Sequence, residues 1–176
     1  MGSGKSTIGA ELAKRLGLKF FDLDVLIEEK AKKSIAGIFE EDGALIFRAI
    51  EAEVLKDISQ ISFCVVALGG GTILDQNNLE LAKRTGLLIC LEADTEITWD
   101  RIADTERRVL IEGKKKSDSE TFEFTNIASR IELLKKIREP FYSEASLFID
   151  TTKLTVDEVV SEILSKLDLV LKSDQV

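Results

Sequence analysis

The chain has 176 residues, 44% hydrophobic and 32% charged, with one proline, eleven glycines and a formal net charge of -8. Those values fit one ordered domain and exclude a disordered chain. The acidic balance also excludes a general nucleic-acid binder. No stretch approaches the eighteen consecutive apolar residues of a membrane-crossing helix, so neither nucleic acid nor a membrane is an expected partner. The chain contains no histidine, which rules out Ser-His and Cys-His nucleophiles and most zinc sites. Carboxylates, lysines and arginines must carry any chemistry.

In chain order, the opening MGSGKST leads into a helical pattern over residues 6–16, where Ile8, Leu12 and Leu16 lie four apart on one face and Gly17 follows as a stop. Gly9 in its first turn costs about 1 kcal/mol of helix propensity against Ala, which makes sense where something packs closely. An extended piece is expected over 18–24, then helical stretches over 25–33, 35–40 and 44–58. FCVVAL, residues 63–68, is continuously apolar, as a strand buried on both faces of a parallel sheet should be. Three glycines end it. A helix over 77–84, a second buried strand over 86–91, a helix over 95–103, a strand over 146–150 and a closing helix over 155–167 complete the pattern. Cys64 and Cys90 fall inside apolar runs and are expected as small core hydrophobes. Strands separated by helices make βαβ units, hence a parallel sheet covered on both faces. The polar stretch 112–125, with KKKSDSE, is too long for an ordinary connection and is expected as a lid or insertion.

Six motifs point toward chemistry. Gly2, Ser3, Gly4, Lys5, Ser6 and Thr7 stand directly before a helix, the context of a phosphate-binding loop. There the backbone N–H groups and the helix N-terminus cradle phosphate oxygens, Lys5 reaches the β and γ phosphates, and Ser6 holds Mg²⁺. The plain alternative is a flexible glycine-serine terminus. In FFDLD, Asp22 and Asp24 are two apart in an extended segment, so both carboxylates point to one side. One can serve a metal shell and the other an acceptor hydroxyl; a solvated turn with Asp24 as N-cap is the alternative. In FRAIE, Phe47 faces the core and Arg48 pairs with Glu51 at i, i+3, a spacing that is commonly surface decoration. LGGGT places bare backbone, Gly69, Gly70 and Gly71, at the carboxyl end of a strand, where open α/β sheets bind ligands. RRVL and REPFY carry arginines that are otherwise read as solvated helix ends, with Pro140 just beyond the helix that ends at Arg138.

In order and spacing these motifs resemble shikimate kinase, the small P-loop kinase family of aromatic amino-acid biosynthesis, from residue 1 to about 167. The matching residues are GSGKST, Asp22 and Asp24 of DLD, SIAGIF from Ser34, FR with Glu three on, Gly69 to Gly71, the Arg138, Pro140 and Tyr142 of R-x-P-x-Y, and the closing IDT. The resemblance implies an α/β P-loop kinase three-layer sandwich, a parallel sheet of order 2-3-1-4-5 with helices on both faces, and a lid. It implies one domain over 1–176, with an acceptor-binding segment at about 24–60 and a lid at about 104–125.

The same resemblance implies ATP as phosphoryl donor, Mg²⁺ as metal and shikimate as acceptor, phosphorylated to shikimate 3-phosphate. Asp24 grips the acceptor's hydroxyls and Arg48 and Arg138 its carboxylate, together with the Gly69 to Gly71 backbone. Asp22 reaches Mg²⁺ through water beside Ser6. Arg108 closes over the transferring phosphoryl, so that Lys5, Asp24 and Arg108 are the catalytic set. Arg101 lies where the family stacks an arginine on adenine. A cytoplasmic monomer is expected. The alternatives are a catalytically silent homologue that binds ligand or partner, and a related small-molecule kinase such as gluconate kinase.

The chain departs from the family in three places. The family's G-E-x-x-F-R has Ala44 in place of the glutamate. The lid signature R-P-L-L reads Arg108, Val109, Leu110, Ile111, with Arg107 alongside, in a longer lid. The family also has a strand and a glycine before GSGKST, so Met1 resembles an internal residue. The expectation is that the first, central strand is missing from this chain and that the natural protein is longer by about ten residues.

Overall fold

The structure is a computed structural model that describes residues 2–102 and 120–173. It is α/β, with parallel strands and covering helices, as the alternating pattern requires. Helix α1 (Lys5–Leu16) starts at Gly4 in the left-handed conformation, φ 86°, and ends at Gly17, φ 66°. In that closing turn the Leu18 N–H donates to the Ala13 carbonyl at 2.9 Å. Strand β1 (Lys19–Asp22) runs straight into α2 (Leu23–Ala31). Next come the short α3 (Ile35–Gly37), a π-helical turn (Ile38–Asp42) and α4 (Gly43–Ile58). Strand β2 (Cys64–Ala67) leads through the three glycines to a 3₁₀ turn (Thr72–Leu74) and α5 (Gln76–Thr85). Strand β3 (Ile89–Glu92), α6 (Thr95–Ile102), α7 (Glu120–Tyr142), β4 (Leu147–Asp150) and α8 (Val156–Ser173) follow.

The strands form two parallel pairs. In one, Lys19 to Asp22 of β1 stand beside Cys64 to Ala67 of β2. In the other, Ile89 to Glu92 of β3 stand beside Leu147 to Asp150 of β4. Among the described residues no ladder joins the pairs. Two cores hold the layers. Ile8 and Leu12 of α1 and Val159, Val160 and Ile163 of α8 pack with Ile149 of β4, and Val65 of β2 and Ile89 and Leu91 of β3 lean on the same cluster. Both strand pairs therefore share one apolar interior. The second core joins Leu23 and Ile27 of α2 to Ile38 and to Phe47, Val54, Leu55 and Ile58 of α4. It seats the expected acceptor-binding segment against β1 and β2.

The close packing expected at Gly9 is present: a Cβ built there would lie 2.8 Å from the Phe20 ring. Other expectations need correction. Phe63 is not part of a buried strand. It is 86% exposed with φ 57°, and β2 starts at Cys64. Cys64 and Cys90 are free and half-buried rather than core residues. Pro140 lies inside α7, not beyond it. At the third position from the helix end, its missing N–H removes a single bond from the last turn, so the helix continues to Tyr142. Residues 120–125, expected as the end of the lid, are the start of α7.

Candidate active site

The site gathers at the carboxyl ends of the strands and the N-terminus of α1. Gly2 and Gly4 both have positive φ, 70° and 86°, a conformation open to glycine at little cost. Between them the chain curls over the first turn of α1, whose N-cap makes no side-chain hydrogen bond and whose first turn carries no acidic residue. The helix start thus presents backbone N–H groups and the positive end of its dipole toward the cavity beside it. That cavity measures about 450 Å³ and is lined by residues 2–8, by Asp22 at the end of β1 and Asp24 in α2, by Ala67 and Leu68 at the end of β2, and by Arg101 and Thr151.

Asp22 connects the phosphate-type loop to the acceptor-binding segment. Its Oδ2 accepts from Ser6 Oγ at 2.5 Å and its Oδ1 from the Asp24 N–H at 3.0 Å. It is therefore Asp22, not Asp24, that caps α2. The Asp24 side chain turns instead toward the three glycines. Ser6 and Asp22 place a hydroxyl and a carboxylate oxygen together on the cavity wall. That donor set suits Mg²⁺, which keeps several waters and takes its other ligands from phosphates.

The three glycines each meet a different element. A Cβ at Gly69 would lie 2.8 Å from Asp24 Oδ1, 3.0 Å from Thr72 Oγ1 and 3.4 Å from Glu51 Oε1. The Gly70 carbonyl accepts from the Tyr142 hydroxyl at 2.8 Å. A Cβ at Gly71 would lie 2.6 Å from Arg48 Nη2. At Gly69 and Gly71 a side chain would meet Asp24 and Arg48, whereas at Gly70 it is the carbonyl that receives the end of α7. Arg138 lies one helical turn before Tyr142, and its Nε is buried without a hydrogen-bond partner among the described residues. Burial pushes the Tyr142 hydroxyl's pKa up, while the Arg138 guanidinium and its hydrogen bond pull the other way. Arg138 and Arg48, ninety residues apart in the chain, are both tied to this one turn.

Arg48 pairs with Glu51 as the i, i+3 spacing predicts, but the pair is not surface decoration. Glu51 is 1% exposed; its Oε2 accepts from Arg48 Nη1 and its Oε1 from Thr72 Oγ1 at 2.8 Å. The Arg48 guanidinium also lies over the Phe47 ring, 5.1 Å from its centre, and Phe47 stacks on Phe39 of the π-helical turn at 4.5 Å. Sequence reasoning passed over the burial of Glu51. The signal was present, because Glu51 lies within the α4 stripe of Phe47, Val54, Leu55 and Ile58, where a charge must be paired. Thr72 had no signal beyond following the glycines.

Arg101 reaches across the start of the loop. It donates from Nη1 to Thr151 Oγ1 at 3.0 Å and to the Gly2 carbonyl at 3.5 Å, and from Nη2 to the Thr151 carbonyl at 2.9 Å. Its edge is engaged, which leaves the faces of the planar group for stacking. Lys5 lines the cavity, and its charge acts on Cys90, whose thiol is nonetheless pushed up to about 11, mainly by burial. Arg108, its neighbour Arg107 and residues 104–119 of the expected lid lie outside the described residues.

A family model described as shikimate kinase matches residues 1–168. The chain belongs to the shikimate kinase family. Shikimate kinases from Geobacter sulfurreducens and Chlorobaculum tepidum are 38% and 40% identical to it, over 93% and 95% of this chain and 84% and 86% of theirs. Among solved structures, the shikimate kinase of Acinetobacter baumannii in complex with shikimate superposes with a TM-score of 0.84 at 32% identity, covering 98% of this chain and 89% of that one. The shikimate kinase of Bacteroides thetaiotaomicron gives 0.83 at 26% identity, over 96% and 94%. Shikimate kinases are phosphotransferases to an alcohol acceptor, and the P-loop kinase fold expected from the motifs is the fold of these neighbours. Among the described residues no helix is long and apolar enough to cross a membrane.

Proposed function

We propose that the protein transfers the γ-phosphoryl group of ATP to a ring hydroxyl of shikimate, giving shikimate 3-phosphate and ADP. One observation carries the reading: the triglycine turn meets Asp24, Tyr142 of the Arg138 helix, and Arg48 in succession, and Asp24 also lines the cavity at the phosphate-type loop. An acidic, hydroxylated acceptor held by that turn lies beside the phosphates of a bound nucleotide.

In this reading the N–H groups of residues 2–7 and the Lys5 ammonium hold the nucleotide's phosphates, and Arg101 stacks on its base. Ser6, with Asp22 through water, holds Mg²⁺, which when bound neutralises phosphate charge. Arg48 and Arg138 clasp the acceptor's carboxylate, a geometry suited to planar, bidentate groups. Asp24 orients the attacking hydroxyl and accepts its proton as the new P–O bond forms and the bond to the β-phosphate oxygen breaks. Lys5 and Arg108 neutralise the transferring group, since this reaction asks for alignment and charge compensation more than covalent chemistry. Ala44 leaves this set intact: the carboxylate beside Arg48 is Glu51.

The reading also takes the protein as a cytoplasmic monomer with reduced cysteines. It keeps the expected sheet order, with β1–β2 and β3–β4 as outer pairs flanking one central strand position. Amide hydrogen exchange along β2 and β3 measures whether their edges toward that central position are paired.

A coupled ADP-release assay with shikimate, quinate and gluconate tests the function. Turnover with shikimate, lost in Lys5→Ala and in Asp24→Ala, supports it. Tight nucleotide binding with no turnover on any of the three acids makes the protein a silent homologue, and preference for gluconate makes it a different kinase.

A further inference from the structure

We infer that Thr72 is a positioning residue for acceptor binding, acting through Glu51 on Arg48; the inference rests on the shikimate reading above. Glu51 carries two carboxylate oxygens into a nearly dry place and must find a donor for each. Arg48 Nη1 serves Oε2, and the Thr72 hydroxyl serves Oε1 at 2.8 Å. The hydroxyl is itself fixed. Thr72 is fully buried, and its carbonyl accepts from Asn78 Nδ2 at 3.1 Å, with Asn78 5% exposed. Asn78 is placed in turn by Asp75, whose side chain caps α5 at the Asn77 and Asn78 N–H groups.

The consequence lies in what Arg48 is left to do. A guanidinium and a carboxylate readily pair through two parallel hydrogen bonds. Were Oε1 to lack a donor, the Arg48 group already bonded to Oε2 is at hand, and a two-point pairing would draw it onto Glu51. Thr72 occupies Oε1 and so restricts Glu51 to one bond with Arg48. The Nη2 edge stays against Gly71, where the acceptor's carboxylate is to be received. Thr72 therefore controls how much of Arg48 is available to the ligand without touching the ligand itself.

The test compares Thr72→Val, which keeps shape but lacks the hydroxyl, with Thr72→Ser, which keeps the hydroxyl. The expected result for Thr72→Val is a rise of about tenfold in KM for shikimate, with kcat and KM for ATP changed less than about twofold. Thr72→Ser is expected to return KM for shikimate to within about twofold of the wild type. A role in packing alone would lower the melting temperature without this split or rescue. An unchanged shikimate KM in a folded Thr72→Val protein overturns the inference, as does equal loss in both variants. If the wild-type protein does not turn over shikimate, it is the functional reading that fails. The inference is then decided by a crystal structure of Thr72→Val: a Glu51–Arg48 pair with two parallel bonds, withdrawn from Gly71, supports it, and an unmoved Arg48 refutes it.

Discussion

Gly71→Ala isolates the acceptor grip from the fold. The Gly71 backbone, φ -116° and ψ -5°, is open to any residue, so alanine adds no strain of its own. Its methyl carbon would lie 2.6 Å from Arg48 Nη2, 3.0 Å from Nη1 and 3.2 Å from Cζ, where ordinary contact begins at 3.4 Å. Arg48 must withdraw by most of an ångström. It is the end of a long, half-exposed side chain, so the fold gives up little, and the expected stability change is under about 1 kcal/mol. The carboxylate pairing is the part that suffers. A charged, bidentate contact carries about 2–3 kcal/mol, and each 1.4 kcal/mol is a factor of ten. KM for shikimate should therefore rise roughly 30- to 100-fold in the ADP-release assay, with KM for ATP unchanged and a melting curve like the wild type's. A folded Gly71→Ala protein with shikimate KM within about twofold of the wild type would refute the placement of Arg48 at the acceptor.

Two further outcomes concern the scaffold. Gly9→Ala should lower stability by about 1 kcal/mol net, because overpacking against Phe20 outweighs the helix propensity gained; a rise in the thermal midpoint would contradict this. Cys90 holds its proton more tightly folded than unfolded, with a folded value of about 11, mainly through burial. Its contribution to stability is present below the unfolded thiol's value of about 8.5 and is lost as pH rises through the folded value. Urea unfolding should show a steeper fall in stability between about pH 8 and 10.5 for the wild type than for Cys90→Ala, and parallel curves would contradict the assignment.

Much of this site was legible in the sequence because its motifs are local. GSGKST specifies its own curl through two glycines at positive φ and an uncapped helix start. FFDLD announced two carboxylates that both line the cavity, although the extended segment expected over 18–24 stops at Asp22 and Asp24 stands in the first turn of α2, and FRAIE announced the i, i+3 pair. The chain did not reveal which carboxylate caps α2, since Asp22 and Asp24 are both able to do so and only the bond from Ser6 Oγ decides between them. The α4 stripe carried the burial of Glu51, but nothing in its spacing named the donor that satisfies it. That donor is Thr72, a partner twenty-one residues away. Strand ends were misplaced at Phe63 and at Leu87, where apolar side chains continue past the ladder into exposed positions. Hydrophobicity reports burial tendency, and the ladder is set by the partner strand. Pro140 misled in the same way, since a proline close to a helix end removes too little to stop it.

Comparing turnover of shikimate with that of its methyl ester probes the proposed clasp of Arg48 and Arg138 on the acceptor's carboxylate. The ester keeps the ring and its hydroxyls and removes only the charge. With that clasp in place, kcat/KM for the ester should fall by at least about 100-fold in the wild type, and most of that discrimination should vanish in Arg48→Ala. Equal turnover of acid and ester by the wild-type protein would contradict it.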